Sequence, residues 1–261
     1  MNNEITVIVT IYNNNNCIQE CLLSVINQTQ PPKSIIVIDD CSEDILTLKE
    51  IIYSLNNTSN IKIELLINQK NSGPGFSRNK AWGLVNTDLV AFLDADDIFY
   101  RNKLELQLSI LKKYPEAYVI GGHKSCHNTE TNKKINNFKV KKLNFYKMLF
   151  INEVATSSVL LKTNIAHKFN TTYYCEDYFL WMTLLKKKFI IIIINTDICS
   201  QLNKNENNLS SHHFKMQYEL QKVLFNLYST NIFTNFVIII SQLFSLIKTI
   251  LRYLKIDLKK K

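Results

Sequence analysis

Five apolar residues in succession, Leu89-Val90-Ala91-Phe92-Leu93, run straight into Asp94-Ala95-Asp96-Asp97. A short apolar run with no polar alternation predicts a strand covered on both faces, the signature of a parallel sheet between helices. Carboxylates gathered at the exit of such a strand repel one another, and a cation or a hydrogen-bonded ligand relieves the repulsion. Oxygen-only ligands suit Mg2+ or Mn2+, and Mg2+ commonly binds through one or two carboxylates plus phosphate oxygens. The plainer reading is a solvated acidic turn that caps the following helix.

The preceding chain repeats the pattern. Residues 5–10 and 35–38 are β-branched runs, and 61–67 form a third strand. Ile18, Leu22, Val25 and Ile26 fall on one face of a helix that Asn15 or Asn16 can cap. Further helices are expected over about 45–55, 76–85 and 103–112. Four strand–helix alternations predict an α/β fold with a mostly parallel central sheet flanked by helices. Ligands of such sheets bind beyond the carboxyl ends of the strands. Thr10 with Tyr12, Asp39 with Asp40, and Asp94 with Asp96 and Asp97 should therefore meet in one crevice.

Beyond the fourth helix the pattern loosens. Strands are expected at 118–120, 156–161 and 189–194, and the polar stretch 123–142 reads as loop or hairpin. Glu176 and Asp177 open a helix whose last turn carries Lys186 to Lys188, as the helix dipole favours. A net charge of +9 points to an anionic partner. No nucleic-acid signature accompanies it, so no nucleic acid is expected. The cysteines form no CxxC pair and no signal peptide opens the chain, so a cytoplasmic protein with free thiols is expected.

The C-terminal stretch has its own periodicity. Phe236, Ile239, Ile240, Leu243, Phe244, Ile247, Ile250, Leu251 and Leu254 recur at helical spacing, with Lys248, Arg252 and Lys255 on the other face. Asn235 and Gln242 leave it short of a membrane span. An amphipathic helix lying on an anionic membrane, at the inner face of the cytoplasmic membrane, is the expectation. Packing on the domain or on a partner subunit, giving an oligomer, is the competing one. The expected division is 1–210 as one domain, with a donor half of about 1–122 and an acceptor half of 123–210, then a basic helical extension over 211–261.

The motifs in this order resemble the family 2 glycosyltransferases of the GT-A fold. The likeness is carried by Val9-Thr10-Ile11-Tyr12-Asn13, by Val37-Ile38-Asp39-Asp40-Cys41-Ser42-Glu43-Asp44, by Asn71-Ser72-Gly73 through Ser77-Arg78-Asn79, by Phe92-Leu93-Asp94-Ala95-Asp96-Asp97, and by Glu176-Asp177. The resemblance implies a UDP-sugar donor, with Thr10 and Tyr12 bordering the base and Asp40 accepting from the uracil imide. It implies Arg78 near the base or diphosphate, and Asp96 on the ribose or a metal. Asp94, Asp96 and Asp97 would be the ligands of Mn2+ or Mg2+, which neutralises charge on the leaving UDP. Asp177 would be the general base that takes the acceptor proton in one inverting displacement. The implied acceptor is a hydroxyl of a surface glycan or lipid-linked oligosaccharide, as in lipopolysaccharide or capsule biosynthesis.

Thr10 stands where many relatives have proline, and Cys41 where they usually have glycine. Cys41 puts the loop's conformation in question, since glycine tolerates φ > 0 and cysteine does not readily. No Gln-x-x-Arg-Trp signature of processive polymerases occurs, so single-sugar transfer is expected. His212-His213 could add a metal or phosphate contact. Two competing readings remain at this point. Asp94-x-Asp96 after an apolar strand also resembles the nucleophile loop of haloacid-dehalogenase-type phosphohydrolases, and a non-catalytic, membrane-docked adaptor would bind UDP without turnover. A dinucleotide-binding oxidoreductase is weaker, because the first strand-to-helix turn lacks glycine.

Overall fold

The computed structural model describes residues 3–125, 138–172 and 175–202, with helical positions beyond at Glu219, Leu220, Lys222, Leu224, Phe225, Phe236, Ile239, Ile240 and Leu243. The first half alternates as the apolar pattern requires: β1 (Ile5–Ile11), α1 (Asn15–Ile26), β2 (Ser34–Asp39), α2 (Ile45–Thr58), β3 (Lys62–Ile67), α3 (Pro74–Trp82) and β4 (Leu89–Asp94). Then come β5 (Asp97–Phe99), α4 (Lys103–Lys113), β6 (Ala117–Ser125), β7 (Val140–Lys142) and α5 (Phe145–Phe150). A 3-10 turn (Thr156–Ser158), β8 (Leu160–Lys162), α6 (Glu176–Lys186) and β9 (Ile190–Gln201) complete the order.

The strands form one sheet in the order β3-β2-β1-β4-β8-β6-β9-β5, with β7 on β9. The long registers, β1 on β2 and β4, β2 on β3, and β6 on β9, are parallel. The short pairings made by β5, β7 and β8 are antiparallel. Strand periodicity divides the core. Val7, Val9, Val37 and Leu93 face α1, α2 and α4, whereas Ile8, Ile36, Ile38 and Phe92 face α3, α5 and α6. Burying each such side chain contributes about 1.5–3 kcal/mol.

Several local expectations change. Asn15 lies inside α1 and donates to the Asp44 carbonyl at 2.6 Å, and the cap position passes to Asn14, whose side chain makes no cap bond. Residues 156–161 do not form one strand. Ser158 Oγ bonds the Ala155 carbonyl at 2.7 Å, closing the turn before β8; short polar side chains compete with ladder bonding in this way. β6 runs on through His123 and Lys124, with register shifts against β9 that accommodate the polar residues. β9 continues to Gln201, where it receives β5. His212-His213, Cys126 and most of the C-terminal extension lie outside the described residues.

β8 runs antiparallel between β4 and β6, so its start lies at their carboxyl ends. The carboxyl ends of β2, β1, β4 and β6 and the 156–158 turn therefore make one continuous rim.

Candidate active site

Along this rim each candidate has a defined place. Thr10 pairs with Asp94 in the β1–β4 register and donates its hydroxyl to Asp94 Oδ1 at 3.0 Å. Tyr12, just past β1, is 51% exposed, so its ring is free to pack on a flat group. Asp39 is fully buried and accepts from the Ser42 amide, while its Oδ1 has no hydrogen-bond partner among the described residues.

Asp40 is turned inward. Its Oδ1 accepts from Asn68 Nδ2 at 2.7 Å and the Ser72 amide at 3.0 Å, and its Oδ2 from the Gly73 amide at 2.7 Å. The carboxylate expected to face a base thus fixes the turn that starts α3. Gly73 takes φ +83 there, a conformation that favours glycine. Cys41, beside Asp40, takes φ +70.

Arg78, expected at the base or diphosphate, is instead 4% exposed inside the protein. Nη2 donates to Asp94 Oδ1 at 2.6 Å, Nη1 donates to Glu176 Oε1 at 2.7 Å, and the guanidinium lies over the Phe169 ring. Planar fork geometry suits this double engagement. Burial alone would raise the Asp94 carboxyl, but Arg78 and then Lys124 outweigh it and hold it below the ordinary carboxylate range. Burial, opposed by Arg78 and reinforced by Asp177, pushes Glu176 up to about 7. Gly75 makes the approach possible: a Cβ there would sit 2.8 Å from Glu176 Cγ.

The three aspartates after β4 have three different environments. Asp94 Oδ1 carries the bonds from Thr10 and Arg78, leaving Oδ2 outside them. Asp96 is half-buried and, among the described residues, its side chain receives a 3.3 Å contact from Gln201 Nε2. Asp97 opens β5 with its side chain wholly buried, bonded to Lys124 Nζ at 2.6 Å and to the Ser157 hydroxyl. Asp97, expected as a metal ligand, is thus engaged by a protein cation. No group of three His, Cys, Asp or Glu gathers to hold an ion among the described residues. The open oxygens of Asp96 and Asp94 still fit a hard divalent ion that draws its remaining ligands from a diphosphate.

Asp177 sits half-buried in the first turn of α6. Thr156 Oγ1 donates to its Oδ2 at 3.0 Å, and the Tyr178 amide to its Oδ1 at 2.6 Å. The next residue, Ser157, bonds Asp97, and Ser157 Oγ also receives the Asp94 amide at 3.3 Å. The 156–158 turn therefore links the acidic cluster to the carboxylate at the head of α6. Sequence patterns did not single out Thr156, Ser157 or Lys124: the first two lie where a strand is expected, and the third in a stretch read as loop.

The profile described as Glycosyl transferase family 2 matches residues 6–174. The chain is 30% identical over 213 residues, 81% of each chain, to the UDP-Glc:alpha-D-GlcNAc-diphosphoundecaprenol beta-1,3-glucosyltransferase WfgD of Escherichia coli. Its fold matches S. aureus TarS 1-349 in complex with UDP-GlcNAc at a TM-score of 0.66 and 18% identity, over 90% of this chain and 70% of that one. It also matches the mannosyltransferase PcManGT from Pyrobaculum calidifontis, in complex with GDP-Man and Mn2+, at a TM-score of 0.65 and 16% identity, over 87% of this chain and 65% of that one. The family profile over residues 6–174 and the long match to WfgD set aside the haloacid-dehalogenase-type reading. The chain belongs to glycosyl transferase family 2 and is a glycosyltransferase.

Proposed function

We propose that the enzyme moves one sugar from a UDP-sugar to an acceptor hydroxyl of a surface glycan or lipid-linked oligosaccharide, with inversion at the anomeric carbon. The observation that carries this reading is the joint anchoring of Asp177 by Thr156 and of Asp97 by Ser157. It supports a reading in which Asp177 removes a proton near the acidic cluster at the end of β4. The WfgD name, which gives a UDP-sugar donor and a lipid diphosphate acceptor, supports the same substrate classes.

In this reading Asp177 accepts the proton of the acceptor hydroxyl as its oxygen bonds to the anomeric carbon, while the bond from that carbon to UDP breaks. Tyr12 packs on the base, with Thr10 beside it. Asp40 acts by holding the 72–73 turn, and Arg78 by tying Asp94 to Glu176, rather than by touching the donor. A Mn2+ or Mg2+ ion held by Asp96, with Asp94, would supply neutralising charge to the diphosphate. The division into a donor half of about 1–122 and an acceptor half of about 123–210 belongs to the same reading.

None of the helices among the described residues is long and apolar enough to cross a membrane. Phe236, Ile239, Ile240 and Leu243 are exposed at helical spacing, and with the basic residues after them they fit peripheral docking on an anionic bilayer. Deleting residues 236–261 should move the protein from membrane to soluble fractions, and unchanged partitioning would dismiss the docking. The activity itself is tested by UDP release from a panel of sugar nucleotides with and without lipid diphosphate acceptors. Acceptor-dependent release from a UDP-sugar is expected; release from purine donors alone would refute the donor assignment.

A further inference from the structure

β6 ends on the same rim as β4, and its next-to-last residue, Lys124, brings an ammonium 2.6 Å from Asp97 Oδ2. The two side chains are unequally placed: Asp97 is fully enclosed, whereas Lys124 keeps 27% of its surface exposed. The ammonium also bears on the other acids of the cluster. Burial works against its charge, but Asp97 and Asp94, with Asp96, raise its affinity for the proton. Lys124 is therefore a partly exposed cation bonded to an enclosed carboxylate at the end of β6.

The charge balance there asks for such a group. A diphosphate approaching this rim meets the carboxylates of Asp94 and Asp96, while that of Asp97 is enclosed behind them. Arg78, 5% exposed, is shared between Asp94 and Glu176 and faces away from solvent. One divalent ion cannot offset both the carboxylates and the diphosphate, whose charge grows as the sugar departs. An ammonium has three donors, and the bond to Asp97 uses one.

We propose that Lys124 binds the donor diphosphate at the phosphoryl group next to the sugar, as a fixed cation anchored from behind by Asp97. This rests on the sugar-nucleotide reading given above. Asp97 then serves the site by orienting Lys124, not by holding an ion. The exposure is one-sided: the lysine side chain is partly open while the carboxylate is wholly enclosed.

The test compares UDP with UMP, which lacks that phosphoryl group, by calorimetric titration of the full chain, once with Mn2+ and once with EDTA. Lys124→Met alone would leave a buried carboxylate unpaired, so the informative variant is Lys124→Met with Asp97→Asn, which removes both charges together. We expect this double variant to lose roughly tenfold in UDP affinity, as befits a charge-assisted contact, and to keep its UMP affinity. The loss should persist in EDTA, and Lys124→Arg should retain most of the UDP preference. A folded double variant with an unchanged UDP to UMP ratio would reduce Lys124 to a counter-ion for Asp97. A loss seen only with Mn2+ would overturn the assignment in favour of a metal role for Asp97. Wild-type protein indifferent to both nucleotides would instead remove the sugar-nucleotide reading, and this assignment with it.

Discussion

Thr156 donates its hydroxyl to Asp177 Oδ2 at 3.0 Å, across 21 positions of the chain. Asp177 lies at the head of α6 with its other oxygen on its neighbour's amide, so the threonine is the side chain that fixes which way the carboxylate presents itself. If Asp177 removes the acceptor proton, Thr156 positions it. Asp177→Asn should then lower transfer by about 10²–10⁴-fold, the usual range for a lost general base. UDP affinity should stay near that of the wild type. Turnover retained in that variant, measured as UDP release, would take Asp177 out of the role.

Thr156→Val should be milder. Loss of one hydrogen bond is worth about 1 kcal/mol, or roughly fivefold in rate. The loss should fall on kcat with the donor KM little changed, because the Thr156 hydroxyl bonds the proposed base. An equal change in both constants would mean that the turn acts on donor binding instead.

Gly75 tests the contact between α3 and α6. A Cβ at this position would lie 2.8 Å from Glu176 Cγ and 3.0 Å from the Asn170 carbonyl. The second neighbour is backbone and cannot swing aside. Gly75→Ala should cost about 1–3 kcal/mol, as overpacking does, and weaken the Arg78–Glu176 bond. Thermal melts and initial rates together check it: an alanine variant with wild-type stability would show that α6 has slack at this point.

The parallel half of the fold was legible because each buried strand is an unbroken apolar run and each helix has its own spacing. Asp94 and Asp96 stood out because carboxylates directly after an apolar strand are uncommon, whereas Asp177, an acid at a helix start where acids are ordinary, was singled out through the family resemblance. The partners of Asp40, Arg78 and Asp97 are a backbone turn, two carboxylates and a lysine. Those partners are 16 to 98 positions away along the chain or belong to main-chain groups, and no local pattern encodes them. Thr156 and Ser157 were hidden by another route: they look like strand residues until the turn bond at Ser158 is seen.

Cys41 is one local departure whose consequence could be read in advance. Glycine was the residue to expect, and the cysteine takes φ +70 with its side chain exposed. A left-handed L-residue costs about 1–2 kcal/mol, partly offset by the greater freedom glycine has when unfolded. Cys41→Gly should therefore stabilise the protein by about 0.5–1 kcal/mol. Cys41→Val should destabilise it, since β-branching makes that conformation worse. Denaturant midpoints of the three proteins check the order, and a valine variant as stable as the glycine one would show the turn has relaxed.

Lys103 gives a pH signature away from the site. Its side chain is fully buried at the start of α4, with Nζ 2.9 Å from Gln107 Oε1, 3.4 Å from the Val159 carbonyl and 3.9 Å from the centre of the Phe99 ring. None of these is a carboxylate, so burial pushes the amine down from its ordinary 10.5 to about 7. The unfolded chain then holds a proton that the folded one has lost between those values. The stabilisation linked to Lys103 is thus full above about 10.5 and disappears as the pH falls through about 7. Against Lys103→Met, which cannot titrate, the wild type should gain stability from pH 7 upward. The slope approaches about 1.4 kcal/mol per pH unit, the limit for one proton. Below pH 6 the difference should be flat. Urea midpoints of both proteins at pH 6, 8 and 9.5 measure it. Parallel curves across that span would mean that Lys103 keeps its proton when folded, satisfied by the ring and the two oxygens alone.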